Sequence, residues 1–523
     1  MQTQQSSDDL IDNTDLPAGS PCFNISIISL TPSGQLTTRH QKAGANVLPQ
    51  DPFHFAYLYL QNYTGRCIGT DGINLILKRL TARILERGYS TTRVGVSEQG
   101  LSQGSLTFTL VPGIIRAIRF SDASLYGTWR NAFPTGPGKL LNLRDLEQGL
   151  EQMKRVPDQD VDMQIMPTDV PGESDIVLNV RRGKPWKLIA NYDNSGSDGT
   201  GKKQGGVTVA VDNPTGLSDL LNVGINSDAD HEGIQRGTTG HSLYYSIPFG
   251  YTTNSISASD YQYHQQIAGI GQTYLSSGKS KNLDVKTDYL FQRDQSQKNS
   301  LRFDLGKRWS SGYLDDVQIS AQERDVTFAE LAWLHTHYLG QAQLDFALSS
   351  RYGTSWFGGQ SDAPGRPGDY PTYAYTIQTL DATFSIPWQV KDQQFSYNAT
   401  LRAQTTHSPL YLVDQFSIGG RYTVRGFDGE LTLTAERGYY LRNELTIPIA
   451  QSGSAVYLAA DVGKVFGPGV QNLVGNELIG AAIGMRGNFN NLTYDVFTNW
   501  PISEPAGFDS AVPAVGFSFT LQY

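Results

Sequence analysis

Charge is scarce in this sequence. Asp, Glu, Lys and Arg make up only 17% of its 523 residues, well below the roughly 25% of an ordinary soluble domain. Long apolar runs do not fill the gap: no stretch approaches about 18 uninterrupted apolar residues, which excludes a transmembrane helix. Mean hydropathy is -0.35. A membrane role then has to come from strands that alternate apolar-out and polar-in, because averaging hides their lipid face. Basic charge is short as well. A net charge of -9 and a pI near 5.4 argue against nucleic acid as the principal partner.

Catalytic signatures are also missing. There is no P-loop, HExxH, zinc cluster or G-x-S-x-G, and the eight histidines show no ligand spacing. His335 and His337, at i and i+2 on a strand, read as same-face neighbours rather than a metal pair. No enzymatic activity, cofactor or metal is expected. Only two cysteines occur, Cys22 and Cys67. They fit one disulfide in an oxidising compartment or two buried thiols, and the lack of any CxxC or Cys/His cluster favours the disulfide. The N-terminus has neither a basic n-region nor an apolar h-region. For an exported protein, the expectation is that numbering starts after a removed signal peptide.

Gly and Tyr are plentiful, and the pattern changes twice along the chain. Residues 1–21 are polar, end in Leu16-Pro17-Ala18-Gly19-Ser20-Pro21, and read as a mobile arm. Residues 22–112 and 113–183 each follow a strand, helix, strand, strand plan. The first has a strand at Phe23–Ile28 and a helix from about Thr70, capped by that threonine and stopped at Gly88. It continues with strands at Thr92–Val96 and Leu106–Val111. The second has a strand at Ile114–Phe120, a helix capped by Asn142, and strands at Val161–Ile165 and Ile176–Val180. From 184 to 523 the helical period disappears. Val207, Val209 and Val211 alternate with Thr208, Ala210 and Asp212; Leu283 and Val285 alternate with Asp284 and Lys286. At roughly 10 residues per strand plus turns, this region allows about 16 strands of a membrane barrel. A soluble sandwich array would alternate too.

One loop stands out, at about 419–438. Val424-Arg425-Gly426-Phe427, among Gly419, Gly420 and Gly429, reads as a tight tip with positive φ. The wall candidate is Ala455–Gly463, where Tyr457 and Asp461 share one face and Val456, Leu458, Ala460 and Val462 the other. Arg442, Glu444 and Arg486 are further charges on inward faces, either a network around the loop or solvated pore lining. On the residues alone, a turn with a solvated arginine remains open.

These pieces resemble known ones. Val424-Arg425-Gly426-Phe427 is similar to the VRGY/F signature of the sixth extracellular loop in the superfamily of outer-membrane polypeptide-transport barrels. Asp461 falls where that superfamily's F-x-x-D strand motif has its carboxylate, with Leu458 in the aromatic's place. Gly88-Tyr89-Ser90-Thr91-Thr92-Arg93 is similar to a motif in the first POTRA domain of two-partner secretion (TpsB) transporters, where a cysteine pair is common near Cys22 and Cys67. Asp193-Asn194-Ser195-Gly196, Asp212–Asp219 and the C-terminal Val515–Tyr523 resemble that family's opening strands and the barrel C-terminal signal.

The resemblance implies an outer-membrane antiparallel β-barrel preceded by two periplasmic α+β POTRA domains. Arg425 would bond Asp461 and hold the loop in the lumen. The N-terminal arm could plug the pore. The implied function is ATP-independent export of a TpsA-type exoprotein, an adhesin, haemolysin or contact-dependent inhibition toxin, by a monomer in outer-membrane lipid. The alternatives are an insertase that assembles other barrels, and a passive channel or barrel-borne enzyme.

Overall fold

The structure, a computed structural model, describes residues 14–17, 19–33, 38–43, 52–233, 235–449 and 452–523. The arm at 1–21 lies mostly outside them. Its described parts, 14–17 and 19–21, are not helical; Thr14 and Asp15 accept hydrogen bonds through their carbonyls from Arg66 (2.7 Å) and Arg79 (2.8 Å). Two compact units follow. One runs to Gly183 and also takes in Thr215–Ser218 and Pro248–Tyr251; the other carries the remainder from Lys184 on.

The first unit holds two modules. In the first, the central strand Ser105–Val111 pairs in parallel with Ile27–Pro32 and antiparallel with Arg93–Val96. The helix Thr70–Glu86 lays Ile76, Leu80 and Ile84 on this sheet, against Leu106, Phe108 and Leu110. Thr70 is not its cap: Gly69 takes that position with no side-chain bond, and Thr70 opens the first turn. Sequence periodicity also missed the helix His54–Gln61 and the strand Arg66–Ile68, both too short to show a period. That strand pairs with Phe23–Ile25, so the single expected strand at 23–28 is two, broken at Ser26. Cys22 and Cys67 form a disulfide across this pair, with Cα atoms 5.4 Å apart. The Gly-Tyr-x-Thr-Thr-Arg stretch is structural here. Tyr89 packs on Phe53 at 4.8 Å between ring centres, and the Thr92 hydroxyl accepts from the Gly113 N–H at 3.0 Å.

The second module repeats the plan, with Glu173–Arg182 between Ile114–Phe120 and Gln159–Pro167. Asn142 caps the helix Leu143–Lys154 by accepting from the Arg144 N–H at 2.9 Å. Leu146 and Met153 bury its apolar stripe on Ile115, Ile176 and Leu178.

The second unit is a closed antiparallel barrel of sixteen strands, from Trp186–Asp193 to Ala514–Gln522, with a two-residue extension at Val317–Gln318. Outward positions are apolar: Val209, Ile225, Val285 and Leu331 keep 43–58% of their surface exposed. Inward charges pair across strands, as in Asp284–Arg308 at 2.7 Å, Lys286–Asp304 at 3.4 Å and Asp288–Arg302 at 2.6 Å. A barrel in a bilayer separates the two faces in this way. Closure runs through five residue pairs, from Ser518 opposite Asp193 to Gln522 opposite Ile189. Asn194 lengthens the seam: its amide nitrogen donates to the Val515 carbonyl at 2.8 Å, and its oxygen accepts from the Phe517 N–H at 2.9 Å. At the other end of the seam, the rings of Trp186 and Tyr523 lie 6.1 Å apart, with the Lys184 ammonium over both.

The disulfide closes a 45-residue separation, worth about 4 kcal/mol in the chain-entropy estimate. In a Cys22→Ser, Cys67→Ser double variant of the full chain, amide exchange in the Thr70–Glu86 helix is expected to accelerate. Unchanged protection would show that the bond does not hold the module together.

Candidate functional site

Between the strands Gln393–Thr406 and Arg437–Ile449 the chain turns into the barrel. The inward segment is residues 407–436; Arg437 and Gly438, placed in the loop by sequence, already belong to the next strand. A short hairpin, Phe416–Ile418 with Leu433–Ala435, carries the tip. Thr423 folds the approach, its hydroxyl accepting from the N–H groups of Gly419 and Gly420, both at 3.1 Å. The tip has its own apolar core, in which Val424 and Phe427 are fully buried with Ile418, Val465, Leu478 and Phe508. The rings of Phe427 and Phe508 meet edge to face at 5.4 Å, a favoured aromatic geometry.

Arg425 sits beside this core, 5% exposed, against Asp461, 2% exposed. The Asp461 carboxylate accepts from the Arg425 backbone N–H (2.9 Å), Nε (2.7 Å) and Nη2 (2.9 Å), and from the Asn443 N–H (3.2 Å). Two parallel guanidinium bonds make a bidentate pair, which fixes direction as well as distance. Two further guanidinium donors go to Glu444 Oε2 (2.6 Å) and the Asn443 carbonyl (3.2 Å). Glu444 is shared with Arg486 at 3.0 Å. Arg486 also covers the Tyr457 ring at 4.0 Å and approaches Asp495 at 3.8 Å. Arg442, opposite Asp461 in register, stays 3.9 Å away and donates instead to the Tyr422 carbonyl at 3.2 Å.

All the inward charges singled out in the sequence therefore meet in one network built on two carboxylates, Asp461 and Glu444. Leu458 does not: it is 45% exposed on the opposite face of the strand, so the missing aromatic of F-x-x-D lies away from the ion pair. His335 and His337 have ring centres 5.6 Å apart, and the His335 Nδ1 lies 2.7 Å from Asn299 Oδ1. No group of three or more potential metal ligands occurs among the described residues.

Sequence reasoning missed what lets the loop approach the wall. Gly426 has φ +129°, and a Cβ there would lie 2.7 Å from the Gly480 Cα and 2.8 Å from the Trp500 carbonyl. A Cβ on Gly480 would overlap the Arg425 carbonyl, and one on Gly463 would lie 2.7 Å from Val424. Wall glycines facing the lumen were the available signal, since a strand glycine marks a close backbone approach. Asn194 was quoted only within a motif. It also accepts from Arg421 at 3.4 Å, so loop and closing seam share a side chain.

Three family profiles match the chain: the haemolysin secretion/activation protein ShlB/FhaC/HecB profile over residues 172–487, a ShlB-type POTRA profile over 38–113, and a POTRA profile over 114–167. The outer membrane transporter CdiB-2 of Burkholderia pseudomallei (strain 1026b) is 44% identical over 512 residues, 97% of this chain and 88% of the relative. The hemolysin transporter protein ShlB of Serratia marcescens is 29% identical over 87% of this chain and 81% of its own length. Among solved structures, CdiB from Escherichia coli superposes with a TM-score of 0.86 at 26% identity, covering 98% of this chain and 93% of that one.

Gly480→Ala is expected to push the tip off the wall and expose Arg425. Trypsin should then cut folded barrel after Arg425 at least tenfold faster than in the wild type. Equal resistance would mean that the loop tolerates a side chain at this contact.

Proposed function

Because the chain belongs to the haemolysin secretion/activation family of ShlB, FhaC and HecB, whose members are outer-membrane transporters of two-partner secretion, we propose that it carries one TpsA-type exoprotein from the periplasm to the cell surface. It is an outer-membrane protein with its POTRA domains in the periplasm. The observation that carries the reading is the loop anchored inside the lumen by Arg425 and Asp461. A loop held in place by a buried bidentate pair suits a transporter whose lumen must be organised around a passing chain.

Capture begins at the POTRA domains. In the second, the strand Gln159–Pro167 lies at the sheet edge, where an extended segment can add by main-chain hydrogen bonds that tolerate many sequences. The client enters unfolded, and the docked loop holds the barrel in a competent conformation. No nucleotide is used; folding of the client outside prevents its return, a population shift that makes transport directional. The 44% identity to a CdiB transporter favours a contact-dependent inhibition toxin over a haemolysin as the client. The protein acts as a monomer.

Removing the Arg425 side chain strips Asp461 of two donors and leaves a buried carboxylate underpaired, a loss of about 3–5 kcal/mol for a buried pair. The loop then detaches while the strands keep their ladders. Arg425→Ala is expected to lower secretion of the client at least tenfold, with barrel level and heat-modifiable migration unchanged. Normal secretion at normal barrel level would sink the assignment. Deleting the gene should remove one large secreted protein from the surface proteome. A general fall in outer-membrane barrels would instead identify an insertase.

A further inference from the structure

We propose that the outer face of the barrel binds the phosphorylated headgroup of an acylated lipid of the outer leaflet, at Lys279 and Lys281. On the strand Thr273–Arg293, Val285, Tyr289 and Phe291 point into lipid, with 45–50% of their surface exposed. Leu283, Lys281 and Lys279 continue that face toward the end of the barrel at which residues 407–436 turn inward. The next strand, Gln297–Leu314, is antiparallel to it and repeats the order up the face. Leu301 and Phe303 are lipid-facing, and above them come Leu305, Lys307 and Trp309. In register, Lys281 lies opposite Trp309 on one side and Asp260 on the other. The change from apolar to polar therefore falls within one register step on the three strands, at Asp260, Lys281 and Lys307, where headgroups replace acyl chains.

Several cations on the same strands, unlike these two lysines, sit in ion pairs. Inside the barrel, Lys286, Arg302 and Arg308 each face a carboxylate. On the outer face, Lys307 pairs with Asp325, and Lys464 pairs with Glu477 at 2.9 Å. Asp260 lies 3.0 Å from His241. Among the described residues, neither Lys279 nor Lys281 forms an ion pair, Asp260 opposite Lys281 being turned to His241 instead; both lysines are exposed, and the Lys279 ammonium lies 5.9 Å from the Tyr313 ring centre. Unmatched ammonium groups at headgroup height attract lipid phosphate, with their alkyl stems lying along the apolar wall below. Trp309 sits where amphipathic rings gather at a membrane interface.

The surface beside them fits the rest of such a lipid. A groove of about 550 Å³ is lined by Val223, Ile225, Leu243 and Leu283, with Lys281, Trp309 and the His241–Asp260 pair among its polar lining. Acyl chain below and phosphate above is the arrangement the groove offers. A free phosphate ion would leave the apolar part unused.

The test uses the full chain purified in a neutral detergent. Retention of lipid A is compared with retention of its dephosphorylated form, which has the same acyl chains, by native mass spectrometry. The wild type should hold lipid A at a concentration at least tenfold lower than the dephosphorylated lipid. A Lys279→Gln, Lys281→Gln double variant should lose at least tenfold in lipid A retention while keeping heat-modifiable migration. Equal retention of the two lipids by the wild type, or undiminished retention by the variant, overturns the proposal. So does inorganic phosphate that displaces lipid A at equal concentration. Should the variant fail to fold, the two-lipid comparison on the wild type decides alone.

Discussion

A carboxylate shut away from water must be met donor for donor, or its charge becomes the most expensive feature in its surroundings. Asp461 is such a group, and four donors surround it, three of them from Arg425. The chain of charges continues outward through Glu444 and Arg486 toward Asp495, so that each buried charge has an opposite one beside it. Pairs of this kind contribute little net stability compared with an apolar filling of the same volume. They penalise displacement instead, because a loop that shifts leaves bare charge on both sides.

Packing gives the ion pair its setting. Val424 and Phe427 carry the tip into an apolar cluster that the wall completes with Val465 and Leu478. Backbone meets backbone at Gly426 and Gly480, where neither strand nor loop has a side chain to interpose. The apolar cluster excludes water from the pair, and the exclusion makes its hydrogen bonds count for more.

The sequence carried the architecture through its periods: alternation for the barrel, a 3.6-residue rhythm for the two long helices, and the change between them at about 184. It also placed Arg425 and Asp461 on facing elements, because strand parity and the loop signature are both local properties. Contacts between residues far apart in the chain were out of reach. Nothing near Gly480 announces that Arg425 will lie against it, and nothing near Asn194 announces Phe517. Short elements such as Arg66–Ile68 were lost because three residues have no period. The cap at Thr70 was misread for a related reason: glycine serves at that position with no side-chain signal to read.

The seam between Trp186–Asp193 and Ala514–Gln522 has a consequence in time. The two strands that close the barrel are the first and the last of its sixteen, so the contact of largest loop cost is also the one whose second half is made last. Until Ala514–Gln522 is in place, Trp186–Asp193 lacks the partner that closes the barrel. Its open edge, with Trp186, Leu188 and Tyr192 beside it, is a template for unwanted pairing. A nascent chain of this kind has to be kept extended until its final nine-residue strand arrives, and its stability as a barrel begins only when its end finds its beginning.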